Sequence, residues 1–238
     1  MSGHSKWANI KNRKGAQDKK RSETFTRASK NIMTAIREGG GNSNPESNAS
    51  LREAIEKARA VNMPKENIER LLQRFEERKN NLVNGVFEGF GPFGVPVVIE
   101  VETDNKNRIL GEIKLIFRNY GGSLGESSSV AFLFDRVGEI ELENKPDEMA
   151  ELELIDAGVK DLEGENIITE VADLGKILKK VREMKLPILS SGLVYKCRMP
   201  IMLSDEDQVA KMLDLVDELE SNDDVINIFA GFDYAQKA

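Results

Sequence analysis

The 238-residue sequence has one cysteine, one histidine and one tryptophan. A single cysteine, Cys197, excludes an internal disulfide and is typical of a reducing compartment. One Cys and one His are too few for a structural zinc site with four nitrogen or sulfur ligands. No segment approaches the roughly 20 apolar residues of a membrane-spanning helix, and the first residues lack the apolar stretch of a secretory signal. The composition therefore predicts a cytoplasmic protein that needs no metal, cofactor or membrane.

Common catalytic motifs are also missing. The sequence has no Walker A run, no G-x-S-x-G elbow and no H-E-x-x-H helix. Residues 89–94 match G-x-G-x-x-G, but Pro92 lies inside the match and a β-branched stretch follows where dinucleotide binding needs a helix. A turn or tight hairpin is therefore predicted there. Cys197 alternates with Leu193 along a predicted strand and is expected to be a core thiol. These features predict no enzyme and no small-molecule substrate.

The charge is divided unevenly along the chain. Residues 1–80 contain 18 Lys and Arg against 10 Asp and Glu, a net charge of +8, whereas the remainder has a net charge of −15. Within the first 30 residues the counts are 9 and 2. This asymmetry is typical of a nucleic-acid-binding arm on an acidic body. The alternative is an exposed helix whose charges are merely solvated.

The first 15 residues show no apolar periodicity and are predicted to form a flexible basic arm. Cations there would bind phosphates without selecting a sequence. Trp7 could stack on an unpaired base or anchor the arm on the neighbouring helices. The arm's candidate nucleic-acid-binding residues are His4, Ser5, Lys6, Trp7, Asn9, Lys11, Asn12, Arg13 and Lys14. The charge continues into the first predicted helix through a group that does not all share one face: Lys19, Lys20, Arg21, Arg27 and Lys30.

Apolar spacing predicts three short helices before residue 80 and a change of pattern after Asn84. The first helix spans residues 16–38, the second ends near Asn62, and Pro64 is placed as the first residue of the third. Strands are then predicted at 95–101 and 130–134, on either side of a helix that begins after residues 103–105. Ser204 is predicted to cap a last helix, which a strand at 225–229 follows.

Between these elements, residues 137–199 alternate strand, helix, strand, helix, strand, which predicts one α/β unit with helices on one sheet face. If the C-terminal helix and strand complete the preceding sheet, this unit is an insertion in the middle domain. If they extend the last sheet, the domains follow in tandem. The insertion is favoured, with domains at residues 1–81, at 82–135 plus 204–238, and at 136–203.

Several longer motifs resemble the YebC/PmpR family over essentially the whole chain. They begin at residues 3–11, and further matches lie at residues 39–41, 62–70, 103–108, 121–126 and 232–233. The resemblance implies an α+β multidomain protein: an N-terminal three-helix domain followed by two α/β domains of the ferredoxin-like type, the third inserted in the second. By position, it points to Lys6, Trp7, Lys11, Arg13 and Lys14, and then to Lys65 and Asn67.

The same resemblance implies a cytoplasmic, DNA-binding transcriptional regulator with promoter DNA as partner. A mitochondrial relative is a translational activator, and bacterial members are linked to stalled ribosomes, which implies rRNA or tRNA as partner instead. The residues favour RNA, because no clear recognition helix is offered to a major groove whereas a basic arm with one aromatic suits exposed bases. An enzyme that uses the cleft between the two α/β domains is the third hypothesis. A monomer is favoured, with the oligomeric state left open.

Overall fold

The computed structural model describes the backbone of residues 19–234 and their side chains, apart from those of residues 19–27, 38 and 80. In this part of the chain the fold is mixed α/β, with seven α-helices and three sheets. No helix in the described range is both long enough and apolar enough to span a membrane. Nor do these residues include a group of three or more His, Cys, Asp or Glu that could hold a metal ion.

Three helices pack together at the start of the described chain, as predicted: α1 (Lys19–Glu38), α2 (Ala49–Ala60) and α3 (Lys65–Arg78). Asn48 joins the first two, because its side chain caps α2 by accepting from the backbone of Leu51 and also donates to the carbonyl of Ala35. Pro64 is the N-cap of α3, so the helix begins one residue later than predicted. The buried core of these helices consists of Ala28, Ile32, Ala35, Ile36, Leu51, Ala54, Ile55, Ala58, Met63, Ile68 and Phe75.

The first sheet has four strands in the order β3-β1-β2-β9. Its strands are β1 (Val83–Phe90), β2 (Pro96–Thr103), β3 (Ser123–Leu124) and β9 (Val225–Ala230). The helices α4 (Lys106–Asn119) and α7 (Glu206–Glu220) share a buried apolar cluster with β2 and β9. A short turn at Pro92–Gly94 joins the antiparallel strands β1 and β2, which confirms the hairpin predicted for the glycine-rich residues. The cap of α7 is Asp205, one residue after the predicted Ser204.

The second sheet has the order β5-β6-β4-β7 and lies between β3 and β9 in the sequence. Its strands are β4 (Phe134–Leu142), β5 (Asp161–Glu163), β6 (Asn166–Thr169) and β7 (Ile188–Cys197). The helices α5 (Glu148–Ala157) and α6 (Leu174–Glu183) pack on it through a second apolar cluster. Two short strands, β8 (Ile201–Leu203) and β10 (Phe232–Tyr234), form a parallel pair.

An apolar cluster joins the two larger sheets. Val98 and Phe229 of the first sheet are buried with Val137 and Val194 of the second, and the rings of Tyr195 and Phe229 lie 5.3 Å apart between centroids. β9 completes the first sheet after the whole second sheet has been traversed. The exact division into three domains, with the boundaries given above, stays a prediction.

The predicted strand at 130–134 is wrong for most of its length. Residues Ala131–Leu133 form a 3-10 turn, and β4 begins only at Phe134. The cause is the buried carboxylate of Glu88 on β1, which accepts backbone N–H bonds from Ser128 at 2.8 Å, Val130 at 2.9 Å and Ala131 at 2.7 Å. These donors turn toward one carboxylate and are not available to a sheet ladder.

Replacing Glu88 with glutamine is expected to lower the free energy of unfolding at neutral pH by about 1–3 kcal/mol, because an amide presents one acceptor oxygen and one clashing donor to three N–H groups. Burial alone would raise the pKa of Glu88, but the three backbone donors outweigh it and lower the pKa below the ordinary 4.5. The stabilisation is therefore present above pH 4.5 and is lost as the pH falls through the lower, folded pKa. Urea denaturation of wild type and variant across this range measures it.

The matched control is Glu126→Gln, which changes an exposed carboxylate in the loop that supplies the backbone donors to Glu88. It should leave both the stability and its pH dependence nearly unchanged. Equal losses for the two variants would contradict the role assigned to Glu88.

Candidate nucleic-acid interface

The arm residues predicted to bind nucleic acid, His4 to Lys14, lie outside the described residues. Lys19, Lys20, Arg21 and Arg27 lie in α1 by their backbone, and their side chains are likewise outside the described set. Of the predicted site, the structure describes Lys30 on α1 and Lys65 and Asn67 on α3 in full.

Lys30 and Asn67 line a cleft with about 350 Å³ of space between the helices and the first sheet. One wall consists of α1 and α3, and the other is the segment from residue 220 to residue 226, which joins α7 to β9. Lys65 does not line it: its side chain is exposed and pairs with Glu69 one turn along α3, at 3.2 Å. The structure thus brings two of the three described candidates together and separates the third.

Among the side chains that the structure describes, five cationic ones line this cleft. Arg70, Arg74 and Arg78 repeat every four residues along α3 and follow Asn67 on the same helix face. Lys30 and Arg37 contribute from α1. None of the four arginines was predicted from the sequence, although the four-residue spacing on α3 is visible there.

The opposite wall is acidic and forms ion pairs across the cleft. Glu102 on β2 accepts from Arg37 at 2.6 Å, between Oε2 and Nε. The turn before β9 supplies Asp223, whose Oδ2 lies 3.1 Å from Nη1 of Arg74 in an exposed pair. A third pair joins Arg78 to Asp224, so that three of these five cations are bound to carboxylates of the first sheet and its loops.

Asp224 is the centre of this contact and is only 1 % exposed. Its carboxylate accepts from Nη2 of Arg78 at 2.6 Å, Nη2 of Arg108 at 2.7 Å and the hydroxyl of Thr103 at 2.7 Å. Asp104 bonds to both arginines as well, and the hydrogen bonds from Arg78, followed by Arg108, lower the pKa of its carboxyl below the ordinary value. α3 is thereby fastened to β2, α4 and the turn before β9.

The floor of the cleft is apolar. Met33 from α1, Leu71 and the buried Phe75 from α3, and Val225 from β9 line it beneath the charged walls. Arg70 lies at the rim, exposed, and has no ion-pair partner among the described residues. A pocket of this kind, with an apolar base and a few converging polar groups, is typical of a ligand site.

Two family models together match nearly the whole chain. Residues 5–78 match the model of the TACO1/YebC protein N-terminal domain, and residues 82–232 match that of the TACO1/YebC second and third domain. The chain belongs to the TACO1/YebC family. This confirms the family resemblance predicted from the sequence motifs.

Relatives of this TACO1/YebC chain include a probable transcriptional regulatory protein of Thermoanaerobacter pseudethanolicus, 43 % identical over 239 residues that cover 96 % of each chain. One of Syntrophotalea carbinolica, also named a probable transcriptional regulatory protein, is 41 % identical and covers 100 % of this chain and 97 % of its own. A crystal structure of a conserved hypothetical protein from Aquifex aeolicus matches with a TM-score of 0.63 and 33 % identity, covering 94 % of this chain and 95 % of that one.

Two of the sequence motifs that carry the TACO1/YebC resemblance have structural roles in this chain. Residues 103–108 supply Thr103, Asp104 and Arg108 to the ion-pair network around Asp224. Residues 121–126 run beside β1, where the backbone N–H of Gly125 donates to the carbonyl of Glu88 at 2.8 Å. Both motifs therefore hold loops and helices in position.

Proposed function

We propose that this chain is a non-enzymatic regulator of gene expression that holds nucleic acid with its N-terminal arm and the adjoining helices. The observation that carries the proposal is the set of five cations along the cleft, on α1 and α3. α1 is the helix into which the basic arm runs. Cations gathered on one surface bind phosphates and release counterions, which gives affinity without sequence selection.

The names of the relatives support the regulatory part of this proposal. The proteins of Thermoanaerobacter pseudethanolicus and Syntrophotalea carbinolica are both named probable transcriptional regulatory proteins. By analogy with them, promoter DNA is one candidate partner of this chain.

The geometry of α3 favours RNA over duplex DNA. A DNA-reading helix presents Arg, Asn or Gln to a major groove about 12 Å wide. On α3 these residue types line the cleft opposite the turn at residues 220–226, and Arg74 and Arg78 are engaged in ion pairs. A basic arm followed by a narrow cleft suits a single strand or exposed bases of structured RNA. We therefore favour an RNA partner, as for a ribosome-associated translation factor that contacts rRNA or tRNA.

The alternative of an enzyme between the two larger sheets finds less support. An apolar cluster fills the space between those sheets. A general acid that works near neutral pH needs a raised carboxyl pKa, whereas the pKa is lowered for Glu53, Glu76, Glu88, Asp104 and Asp135.

Crosslinking the protein in living cells and sequencing the attached nucleic acid tests the proposal. We expect enrichment of rRNA or tRNA segments over an untagged control strain. Predominant promoter DNA would refute the preference for RNA, but the proposed role as a nucleic-acid-binding regulator would still stand. Absence of any enriched nucleic acid, with the protein present at normal abundance, would refute nucleic-acid binding itself.

A further inference from the structure

We infer that the cleft between α3 and the turn at residues 220–226 is a binding site for one unpaired nucleotide of RNA. This inference rests on the proposed function and assigns the cleft a ligand. The basic arm would supply affinity for the phosphate backbone, and the cleft would take a single base with its sugar and phosphate. Three features of the cleft lead to this ligand.

The first feature is the unengaged cation at the rim. Arg70 is exposed and lies one turn before Arg74 on α3. Arg74 forms an exposed pair with Asp223, 3.1 Å apart, with side chains 56 % and 60 % exposed. Such exposed pairs contribute little stability, so a phosphate can displace Asp223 and accept from both guanidinium groups.

The second feature is the carboxylate wall, which a bare phosphate chain would avoid. Asp223 and Glu220 line the cleft opposite α3. Carboxylates accept hydrogen bonds from ribose hydroxyls and from base amino groups. A ligand with a phosphate at one end and hydroxyl or amino donors at the other matches both walls, and a nucleotide has this polarity. The 2′-hydroxyl makes RNA the better match.

The third feature is the apolar floor of the cleft together with its volume. Met33, Leu71 and Phe75 line the base of the cleft, and unpaired bases bind through their faces to apolar and aromatic side chains. The volume of about 350 Å³ is near the lower end of the ~300–1,000 Å³ range of small-ligand pockets. The cleft therefore accommodates one unpaired nucleotide and is too small for a base pair. Asn67, which is half-buried on the α3 wall of the cleft, offers its side-chain amide to the base edge.

Photocrosslinking tests this assignment with a single-stranded RNA that carries 4-thiouridine, whose adducts are located by mass spectrometry. We expect adducts on the peptides containing Met33 and Leu71, and their loss when the same RNA is fully paired. Arg70→Ala should weaken binding of the single strand, measured by anisotropy, by about three- to tenfold. Its matched control is Arg59→Ala, an exposed cation on α2 outside the cleft, which should change affinity less than twofold, roughly the effect of one distant charge.

The outcomes separate the inference from the function on which it rests. RNA that binds tightly but crosslinks only to the arm would overturn the cleft site and leave the proposed function intact. Absence of binding to every nucleic acid would overturn both. Equal cleft adducts with single-stranded DNA would refute the selection of ribose.

Discussion

Replacing Asp224 with alanine is expected to lower the free energy of unfolding by about 2–4 kcal/mol, below the 3–5 kcal/mol typical of a broken buried pair because the partners are partly hydrated. Asp224 is 1 % exposed and accepts from three side chains, two of which are the guanidinium groups of Arg78 and Arg108. These arginine side chains are 27 % and 41 % exposed, so water relieves part of the loss. Urea denaturation followed by circular dichroism measures the change.

The neighbouring residue provides the control. Asp223→Ala also removes one carboxylate from the same turn, but its pair with Arg74 is exposed on both sides and should cost less than about 1 kcal/mol. A double-mutant cycle between Arg78 and Asp224 then isolates the pair itself. Equal losses from Asp223→Ala and Asp224→Ala would contradict the central role of the buried carboxylate.

The two aspartates divide the contact between the helices and the first sheet into a fixed part and an adjustable part. Asp224 holds Arg78 at the end of α3, where the chain enters the sheet. Asp223 and Arg74 lie farther out, at the mouth of the cleft, and their exposed pair can open at little cost. The cleft can therefore admit a charged ligand while α3 stays docked.

The sequence predicted the helices and strands that local patterns of apolar residues determine. Ile109, Ile113 and Phe117 follow helical spacing, and they are the buried face of α4. Strand β1 was missed because Gly85, Gly89 and the charged Glu88 interrupt the apolar alternation by which a strand is recognised. Glu88 can be buried because backbone donors 40 to 43 residues later in the chain surround it. No local sequence pattern predicts donors at that distance.

The candidate site shows the same limit. Lys30 and Asn67 were found from charge and from motif position, and both line the cleft. The acidic wall could not be found in this way, because Arg78 and Asp224 are separated by 146 positions and meet only after β9 completes the first sheet. In the sequence, the acidic residues of the turn before β9 belong to an acidic half that is expected to repel nucleic acid.

Removing three cations from the arm is expected to have the largest effect on nucleic-acid affinity. In the variant Lys11→Ala, Arg13→Ala, Lys14→Ala, binding to rRNA fragments, tRNA and duplex DNA should weaken by about tenfold or more, because three phosphate contacts are lost. The slope of log affinity against log salt concentration should fall by about 2–3, since each lost contact removes about 0.7–0.9 from it. Fluorescence anisotropy across a salt series measures both quantities.

The matched control removes two lysines and one arginine from exposed positions of the acidic body, as Lys114→Ala, Lys179→Ala, Arg182→Ala. Both triple variants change the net charge from −7 to −10, the first number being that of the full chain and the second following from three lost cations. A long-range effect of net charge would therefore weaken binding equally in both, and would be screened beyond about 8–10 Å at physiological salt. Only direct phosphate contacts would confine the loss of affinity and of salt slope to the arm variant, so unchanged values there would refute the arm as the nucleic-acid contact.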